Sequence, residues 1–270
     1  MWQRQLAGSA NNCAAPLMTE HAADLFDAVS PAYASHRPTY PPAFFQDFAE
    51  RCAARHRVWD CGCGNGQASM ALAEQFDQVV ATDASTNQVQ QAAAHPRIVY
   101  RAATATESGL ESASVDAILV AQAVHWFAGE AFNAEVRRVA RPGAVMAWIG
   151  YRTLQWARPD LQKLLDDFYS ETLKPWWPPQ RRWVDQSFAG LPFPGEEWPF
   201  PQNIWIERHW TLPDLVGYLS SWSAVEQARR GGQDPLPALV DQLLLAWPNQ
   251  GREPVLGRWP FMGRWRVIGS

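Results

Sequence analysis

The stretch DCGCGNGQ, residues 60–67, constrains the fold of this chain more than any other feature of its sequence. It follows the short apolar strand pattern RVW and carries glycine at alternate positions, 62, 64 and 66. Glycine lets the backbone turn tightly after a strand and lets a ligand approach without meeting a Cβ atom. A strand, a glycine loop and a helix in this order predict the first unit of an α/β fold.

The same order of strand, turn and helix repeats along the first half of the chain. Four further strands are predicted by QVVATDAS, RIVYRAA, SVDAILVAQAV and GAVMAWIGY. The helices between them are indicated by apolar residues at helical spacing: Met70, Leu72, Ala73 and Phe76; then Val89, Ala92 and Ala93 after a cap at Ser85 or Thr86; then Phe132, Val136 and Val139 before a stop at Pro142-Gly143. This alternation predicts right-handed crossovers and a parallel sheet with helices on both faces, which places ligands beyond the carboxyl ends of the strands.

The spacing of the glycine loop indicates which ligand binds there. Dinucleotide sites use G-x-G-x-x-G, whereas this loop has G-x-G-x-G with Asp60 in front. An acid in that position repels a pyrophosphate but suits an ammonium group. Asp83 ends the second strand, 17 residues beyond Gly66, where it can accept hydrogen bonds from ribose hydroxyls. S-adenosylmethionine combines a ribose, an adenine and an amino-acid head without phosphate, so we expect this cofactor and not NAD.

These motifs resemble the class I S-adenosylmethionine-dependent methyltransferases, in particular the small-molecule branch that includes trans-aconitate methyltransferases. Six segments match in the family's order: SPAYASHRPTYP, DCGCGNGQ, TDAS, VAQAVHWF, RRVARPGAV and LVGYLSSWSAV. The resemblance covers most of the chain. It implies an α/β, Rossmann-like doubly wound, mostly parallel sheet with an N-terminal lid and a helical cap rich in tryptophan and proline.

The resemblance also implies the residues of the site. The expected cofactor-binding residues are Asp60, Gly62, Gly64, Gly66, Gln67, Asp83, Ala84, Ala105, Thr106, Gln122 and Arg37. The resemblance implies that the glycines line the methionine and ribose of the cofactor, that Asp60 lies near its amino group, and that Arg37 pairs with its carboxylate. Ala84, Ala105 and Thr106 contact adenine, although Thr106 departs from the family's Ala-Glu or Asp-Ala pattern. Gln122 begins the segment that passes under the sulfonium.

A second group of residues is expected to contact the acceptor. The catalytic candidates are His125 and Tyr33, and the substrate-binding candidates are Tyr40, Trp126, Tyr218, Trp222 and Arg152. Tyr218 and Trp222 are expected at positions i and i+4 of one cap helix. His125 has two interpretations: a general base, or a ring packed beside Trp126 that orients the loop after strand four.

Methyl transfer to a small-molecule oxygen, such as a carboxylate, is the expected reaction. The sulfonium is a good leaving group, so the protein supplies alignment and desolvation. A carboxylate needs only cationic positioning groups, for which Arg152, Arg181 and Arg182 are candidates. Two alternatives stay open: another use of the sulfonium, by cyclisation or aminocarboxypropyl transfer that releases methylthioadenosine, and cofactor binding without turnover.

Composition bounds the organisation and the partners of the chain. The expected divisions are a lid over 1–45, a cofactor-binding core over 46–150, a substrate cap over 151–250, and C-terminal strands over 251–270 that complete the sheet. After residue 150 lie 11 of the 15 tryptophans and 14 of the 21 prolines, so this half is expected to form short helices joined by long ordered loops.

The charge and the cysteines narrow the function further. The net charge of −4 argues against nucleic acid as a partner, and no apolar run has the length of a membrane helix. The N-terminal residues lack the apolar region of a signal peptide, and four cysteines form no disulfide framework, so a cytoplasmic monomer or homodimer is expected. The pair Cys61 and Cys63 lacks a second pair of ligands, so no metal site is expected.

Overall fold

The protein is described by a computed structural model that covers residues 37–194 and 197–268. The strands of this part, in chain order, are β1 (Arg57–Cys61), β2 (Gln78–Asp83), β3 (Ile98–Ala102), β4 (Val115–Ala121), β5 (Ala140–Tyr151), β6 (Gln155–Trp156), β7 (Trp205–Trp210) and β8 (Val255–Val267). The α-helices of the same part are α1 (Pro42–Glu50), α2 (Gln67–Ala73), α3 (Thr86–Gln90), α4 (Glu130–Val139), α5 (Pro159–Asp167), α6 (Arg181–Asp185), α7 (Leu212–Ser220), α8 (Ser223–Arg230) and α9 (Leu236–Ala246).

Strands β1 to β5 form the parallel part of one sheet, in the order β3-β2-β1-β4-β5. The strand order reverses between β1 and β4, so their carboxyl ends border a crevice of the kind that holds ligands in doubly wound folds. The long strand β8 pairs antiparallel with β5 and continues beyond it to pair with β6 and β7. The predicted Rossmann-like, mostly parallel sheet is confirmed.

Alternate residues of the central strands enter two separate cores. Val58 and Leu119 belong to one core with α1 and α2, whereas Trp59 and Ile118 belong to the other with α4. All four side chains are fully buried. Because successive side chains of a strand point to opposite faces, a strand covered on both faces must be apolar throughout. This burial explains the continuous apolar runs in the sequence.

Three helix boundaries differ from the sequence expectation. Helix α2 ends at Ala73, so Phe76 is buried outside it, and α3 ends at Gln90, before Ala92 and Ala93. Helix α4 ends at Val139, and the expected stop at Pro142-Gly143 lies inside β5, where the pairing with β4 is irregular. The predicted cap at Ser85 is correct, since its side chain accepts a hydrogen bond from the Gln88 backbone.

The second half contains the expected short helices and also two strands, β6 and β7, that were not predicted. Strand β7 reads WIERHW, and only Ile206 in it is buried, so it lacks the alternation that reveals a half-buried strand. In the described part of the chain, no helix has both the length and the apolar character needed to span a membrane.

The expectation that Tyr218 and Trp222 share one helix is wrong. Helix α7 ends at Ser220, and Trp222 is the N-cap residue of α8. Ser221 separates the two helices, and its hydroxyl donates a 2.6 Å hydrogen bond to the Tyr218 carbonyl oxygen. The chain turns at this point, yet the two rings stay in contact, with centroids 5.6 Å apart.

Candidate functional site

A cleft at the carboxyl ends of the parallel strands gathers most of the predicted site residues. Those that line it are Arg37, Tyr40, Gly62, Gly64, Gln67, Asp83, Ala84, Ala105, Gln122, His125, Trp126, Arg152, Tyr218 and Trp222. They come from the glycine loop, from the ends of β2, β4 and β5, and from the second half of the chain. The fold therefore brings together in one cleft residues that the sequence separates widely.

Two glycines of the loop that line the cleft have different structural reasons. Gly62 has a φ of +73°, and a Cβ atom on it would lie 2.6 Å from the Ala123 Cβ. Gly64 has a φ of +55°, and a Cβ there would meet nothing closer than the Gln88 side-chain oxygen at 3.7 Å. Gly62 is therefore required by packing, whereas Gly64 gives a ligand access to the backbone.

Asp83 fixes the shape of the loop from the end of β2. Its carboxylate accepts hydrogen bonds from the Gly64 backbone N–H at 2.8 Å and from the Ser85 backbone N–H at 2.9 Å. Each carboxylate oxygen has capacity for about two hydrogen bonds. The same group can therefore order the loop and contact a ligand that the loop holds.

Asp60 lies beneath the loop and does not line the cleft. Its side chain is fully buried, and one carboxyl oxygen accepts a 2.5 Å hydrogen bond from the Ser69 hydroxyl. The other oxygen has no hydrogen-bond partner within residues 37–194 and 197–268. Burial is the main cause that raises the pKa of Asp60 from 3.8 to about 7; the Ser69 hydrogen bond opposes this rise, and the charge of Asp83 adds to it.

Two other predicted cofactor residues also lie away from the cleft wall. Gly66 has a φ of +88° and packs against the Tyr100 ring, so a structural need explains this glycine. Thr106 lies after β3, where its hydroxyl is 3.3 Å from that of Thr104. Tyr33 lies outside the described residues.

Gln122 adopts a backbone conformation that is rare for residues other than glycine. Its φ is +54°, at the point where the chain leaves β4. The side-chain amide donates a 3.0 Å hydrogen bond to the Tyr151 carbonyl oxygen, and the backbone N–H donates to Ile149 at 2.9 Å. Strained residues of this kind occur at ligand sites, where surrounding contacts hold them. These bonds fix the segment from Gln122 to His125 relative to β5.

His125 is neutral at the floor of the cleft. Burial is the main cause that lowers its pKa from 6.5 to about 3, and the positive charges of Arg181 and Arg37 lower it further. Its Nδ1 atom is buried and has no hydrogen-bond partner among the described residues. The ring lies 4.9 Å from that of Trp126, centroid to centroid. An imidazole with so low a pKa is a poor general base.

Residues 37–40 form a strap that joins the two sides of the cleft. Arg37 donates a 3.0 Å hydrogen bond to the Ser221 carbonyl oxygen, between α7 and α8. The Gln67 amide donates a 3.3 Å bond to the Pro38 carbonyl oxygen, and Tyr40 is buried 6.1 Å from the Tyr151 ring. The strap therefore contacts both the glycine-loop helix α2 and the second half of the chain.

Aromatic side chains line the side of the cleft opposite the glycine loop. The Trp222 ring lies 5.5 Å from the Trp177 ring and 5.6 Å from the Tyr218 ring. The Trp259 indole N–H donates a 3.1 Å hydrogen bond to the Tyr218 hydroxyl, which anchors that ring. Tyr218 and Trp222 are buried and Trp177 is half-buried, so this largely apolar wall limits the water in the space that it encloses.

Arg181 is the cationic residue of the wall with the most definite anchoring. Its Nε atom donates to the Tyr169 hydroxyl at 2.9 Å and to an Asp185 carboxylate oxygen at 3.2 Å. The two terminal nitrogens, Nη1 and Nη2, form no hydrogen bond with any other described residue. Arg181 lines the cleft, whereas Arg182 is exposed outside it.

Several lining residues were not predicted from the sequence. These are Cys63, Asn65, Ala68, Gln88, Ala103, Ala121, Ala123, Phe127, Tyr151, Trp177, Pro178, Val184 and Ser223. Gln88 lies in the first turn of α3, three residues after the Ser85 cap, and Tyr151 is the last residue of β5. The position of both residues near the end of a strand could therefore have been noticed in the sequence. Trp177 belongs to the proline-rich stretch, where no periodic pattern indicates which ring faces inward.

Comparisons with known proteins agree with this geometry. The family model of a methyltransferase domain matches residues 59–148. A protein of Dictyostelium discoideum named as a methyltransferase is 31% identical over 229 residues, which cover 83% of this chain and 86% of that protein. A methyltransferase of Mycobacterium tuberculosis is 42% identical over 119 residues, 44% of this chain and 48% of its own.

A solved structure extends the similarity to the fold. The structure of a type II methyltransferase from Anaeromyxobacter dehalogenans superimposes with a TM-score of 0.78 at 42% sequence identity. The match covers 86% of this chain and 98% of that one. The similarity therefore includes the second half of the chain as well as the sheet.

Proposed function

The chain belongs to the class I S-adenosylmethionine-dependent methyltransferases, and from this premise we propose that it methylates an oxygen of a small-molecule carboxylate. S-adenosylmethionine is its cofactor, as the family assignment requires. The likeness to the trans-aconitate branch stays a prediction.

The residues of the cleft fit this cofactor. Gly64 leaves room beside the backbone, and Asp83 stands at the end of β2, next to the loop that it orders. We propose that Asp83 accepts hydrogen bonds from the ribose and that Ala84 and Ala105 contact the adenine. The buried Asp60 lies beneath the loop, where it accepts the Ser69 hydrogen bond, and does not contact the cofactor directly.

Arg181 is the observation that carries the proposal of a carboxylate acceptor. A guanidinium group held through Nε keeps its orientation, while Nη1 and Nη2 stay available for a bidentate pair with a carboxylate. Arg152 also lines the cleft and forms no side-chain hydrogen bond or ion pair within the described residues. Two guanidinium groups with unused donors favour an anionic acceptor.

The state of His125 supports the same acceptor. A carboxylate has no proton to lose before it accepts a methyl group, whereas an alcohol needs a base whose pKa is close to the working pH. The pKa of His125 is lowered to about 3, so this residue is poorly suited to be that base. We propose that neutral His125 donates or accepts one hydrogen bond that orients the acceptor.

The protein's own contribution is alignment in a dry site. When bound, S-adenosylmethionine would supply a methyl group on a sulfonium. In-line attack of a carboxylate oxygen on that methyl carbon would form a methyl ester and release S-adenosylhomocysteine. Tyr218, Trp222 and Trp177 exclude water from the cleft, and Arg181 holds the acceptor. Removing water strengthens the interaction between the guanidinium and the carboxylate.

Product analysis with a panel of small carboxylic acids tests this proposal. Wild-type protein should convert S-adenosylmethionine to S-adenosylhomocysteine and form a methyl ester from at least one acid. Arg181→Gln should lower kcat/KM for that acid by about 10- to 150-fold, the range for hydrogen bonds to a charged group. Its Kd for S-adenosylhomocysteine should not change.

The matched control is Arg55→Gln. Arg55 is exposed just before β1, at the end of the sheet opposite the cleft, and this variant should keep full activity. Methylation of alcohols or amines without any methylated acid would overturn the carboxylate proposal. Release of methylthioadenosine in the absence of an acceptor would show that the sulfonium is used for other chemistry.

A further inference from the structure

A second, more open cleft lies on the outer surface of the second half of the chain. It is lined by Tyr169, Lys174, Trp177, Arg181, Arg182 and Asp185, together with neighbouring small residues. Its floor comes from a short irregular stretch, the π-helix Phe168–Thr172 followed by a 3-10 helix over Lys174–Trp176. π-Helical turns are rare and occur frequently at functional sites.

A thin wall separates this outer cleft from the cofactor cleft. Trp177, Pro178 and Arg181 line both. The Trp177 indole N–H donates a 3.0 Å hydrogen bond to the Tyr169 carbonyl oxygen, and the Arg181 guanidinium lies 5.0 Å from the Trp177 ring centroid. Two side chains and one proline therefore stand between the surface and the proposed acceptor position.

The outer cleft carries an excess of positive charge. Lys174, Arg181 and Arg182 line it, against Asp185 as the one acid in that lining. Asp185 already pairs with Arg181 at 3.2 Å. Lys174 is exposed and forms no ion pair with another described residue, and Arg182 stacks over the Trp183 ring at 4.4 Å. Clustered like charges beside an apolar wall attract ions of opposite sign.

We propose that the outer cleft is the entry site for the anionic acceptor, which reaches the cofactor cleft past Trp177 and Arg181. The ligand is a small organic carboxylate with a flat apolar body, since the site offers cations beside an aromatic ring. This inference rests on the carboxylate acceptor of the proposed function. Lys174 and Arg182 capture the anion, and Arg181, which borders both clefts, receives it.

Association kinetics of a model anion test the entry site. The probe is 4-fluorobenzoate, and its association rate constant with protein loaded with S-adenosylhomocysteine is obtained from ¹⁹F NMR line shapes. The double variant Lys174→Glu with Arg182→Glu should lower this rate constant about fivefold or more, and added salt should lower the wild-type value. The control Arg55→Glu, at the opposite end of the sheet, should leave the rate constant within about twofold of wild type.

The outcomes separate this inference from the proposed function. An unchanged association rate in the double variant, or no binding of 4-fluorobenzoate to wild type, overturns the entry site. If the double variant slows association but wild type methylates no carboxylic acid, the outer cleft binds anions, but the proposed function fails and with it the role of this cleft in acceptor entry. If acids are methylated and the charge reversal has no effect on association, the proposed function stands alone.

Discussion

Replacing Asp60 by asparagine should remove a large part of the protein's sensitivity to pH. The Asp60 carboxyl is fully buried, and its pKa is raised from 3.8 to about 7, mainly by burial. In the unfolded chain the group ionises near its ordinary pKa. Between these two values the folded protein retains a proton that the unfolded chain has lost, so the free energy of unfolding falls as the pH rises from about 4 to about 7.

The magnitude follows from the two pKa values. With a folded pKa of about 7 and an unfolded pKa of 3.8, ionisation of Asp60 lowers the free energy of unfolding by roughly 2 kcal/mol at pH 5 and roughly 4 kcal/mol at pH 8. The difference between the two conditions is roughly 2–3 kcal/mol. Asparagine does not ionise, so Asp60→Asn should lack this difference.

Asparagine also introduces a cost that does not depend on pH. Its carbonyl oxygen can still accept the Ser69 hydrogen bond, but its NH₂ group would replace an oxygen that has no partner in the described part of the structure. Burying those donors costs about 1–3 kcal/mol at every pH. We therefore expect the variant to lie within about 1 kcal/mol of wild type at pH 5 and to be more stable than wild type by about 1–3 kcal/mol at pH 8.

Urea unfolding of the ligand-free proteins at pH 5 and pH 8 measures this effect. The stability of Asp60→Asn relative to wild type should improve by roughly 2–3 kcal/mol between the two pH values. Asp241→Asn is the matched control, because Asp241 is exposed on α9 and pairs with no other described residue. A relative improvement below about 1 kcal/mol would refute the reasoning that burial dominates at Asp60.

Two further predictions concern the cleft. Asp83→Ala should weaken binding of S-adenosylhomocysteine by about 1.5–3 kcal/mol in calorimetry and leave the fold intact. The control Asp77→Ala replaces an exposed acid before β2 and should leave both the binding and the fold unchanged. An unchanged Kd in Asp83→Ala would mean that the ribose is held elsewhere. The pKa of His125 is lowered to about 3, so we expect that the pH profile of kcat/KM contains no ionisation of His125 near pH 6.5. A decrease in kcat/KM near pH 6.5 that is present in wild type and absent in His125→Asn would instead identify His125 as the general base.

The parallel sheet and its ligand edge were predictable because their signals are local. Each of β1 to β5 is a short apolar run, and the glycine loop and Asp83 lie directly at strand ends. The loop turns directly after β1 with a positive φ of +73° at Gly62, a backbone conformation that favours glycine. These features depend on neighbours in sequence, and reading them needs no knowledge of tertiary packing.

The wall of the acceptor side could not be predicted in the same way. Trp177 and Arg181 line the cleft, and both donate hydrogen bonds to Tyr169, which lies in an irregular π-helical turn. Asp60 shows the converse, since the sequence places an acid beside the loop but does not tell whether its carboxyl points toward the ligand or into the core. Burial decides that orientation, and burial is a property of the whole fold.

Charge is distributed unevenly along the cleft, and this distribution connects the cofactor with the proposed acceptor. Asp83 lies at the glycine-loop end, close enough for its charge to raise the pKa of Asp60, whereas Arg37 and Arg181 lie at the other end and lower the pKa of His125. A cationic sulfonium compound is favoured beside the acids, and an anion is favoured beside the arginines. The two opposite charges would then meet where the ends join, above His125, which burial keeps neutral with help from the same arginines. Placing a positive methyl donor against a negative acceptor in a space without water is the arrangement that in-line methyl transfer needs.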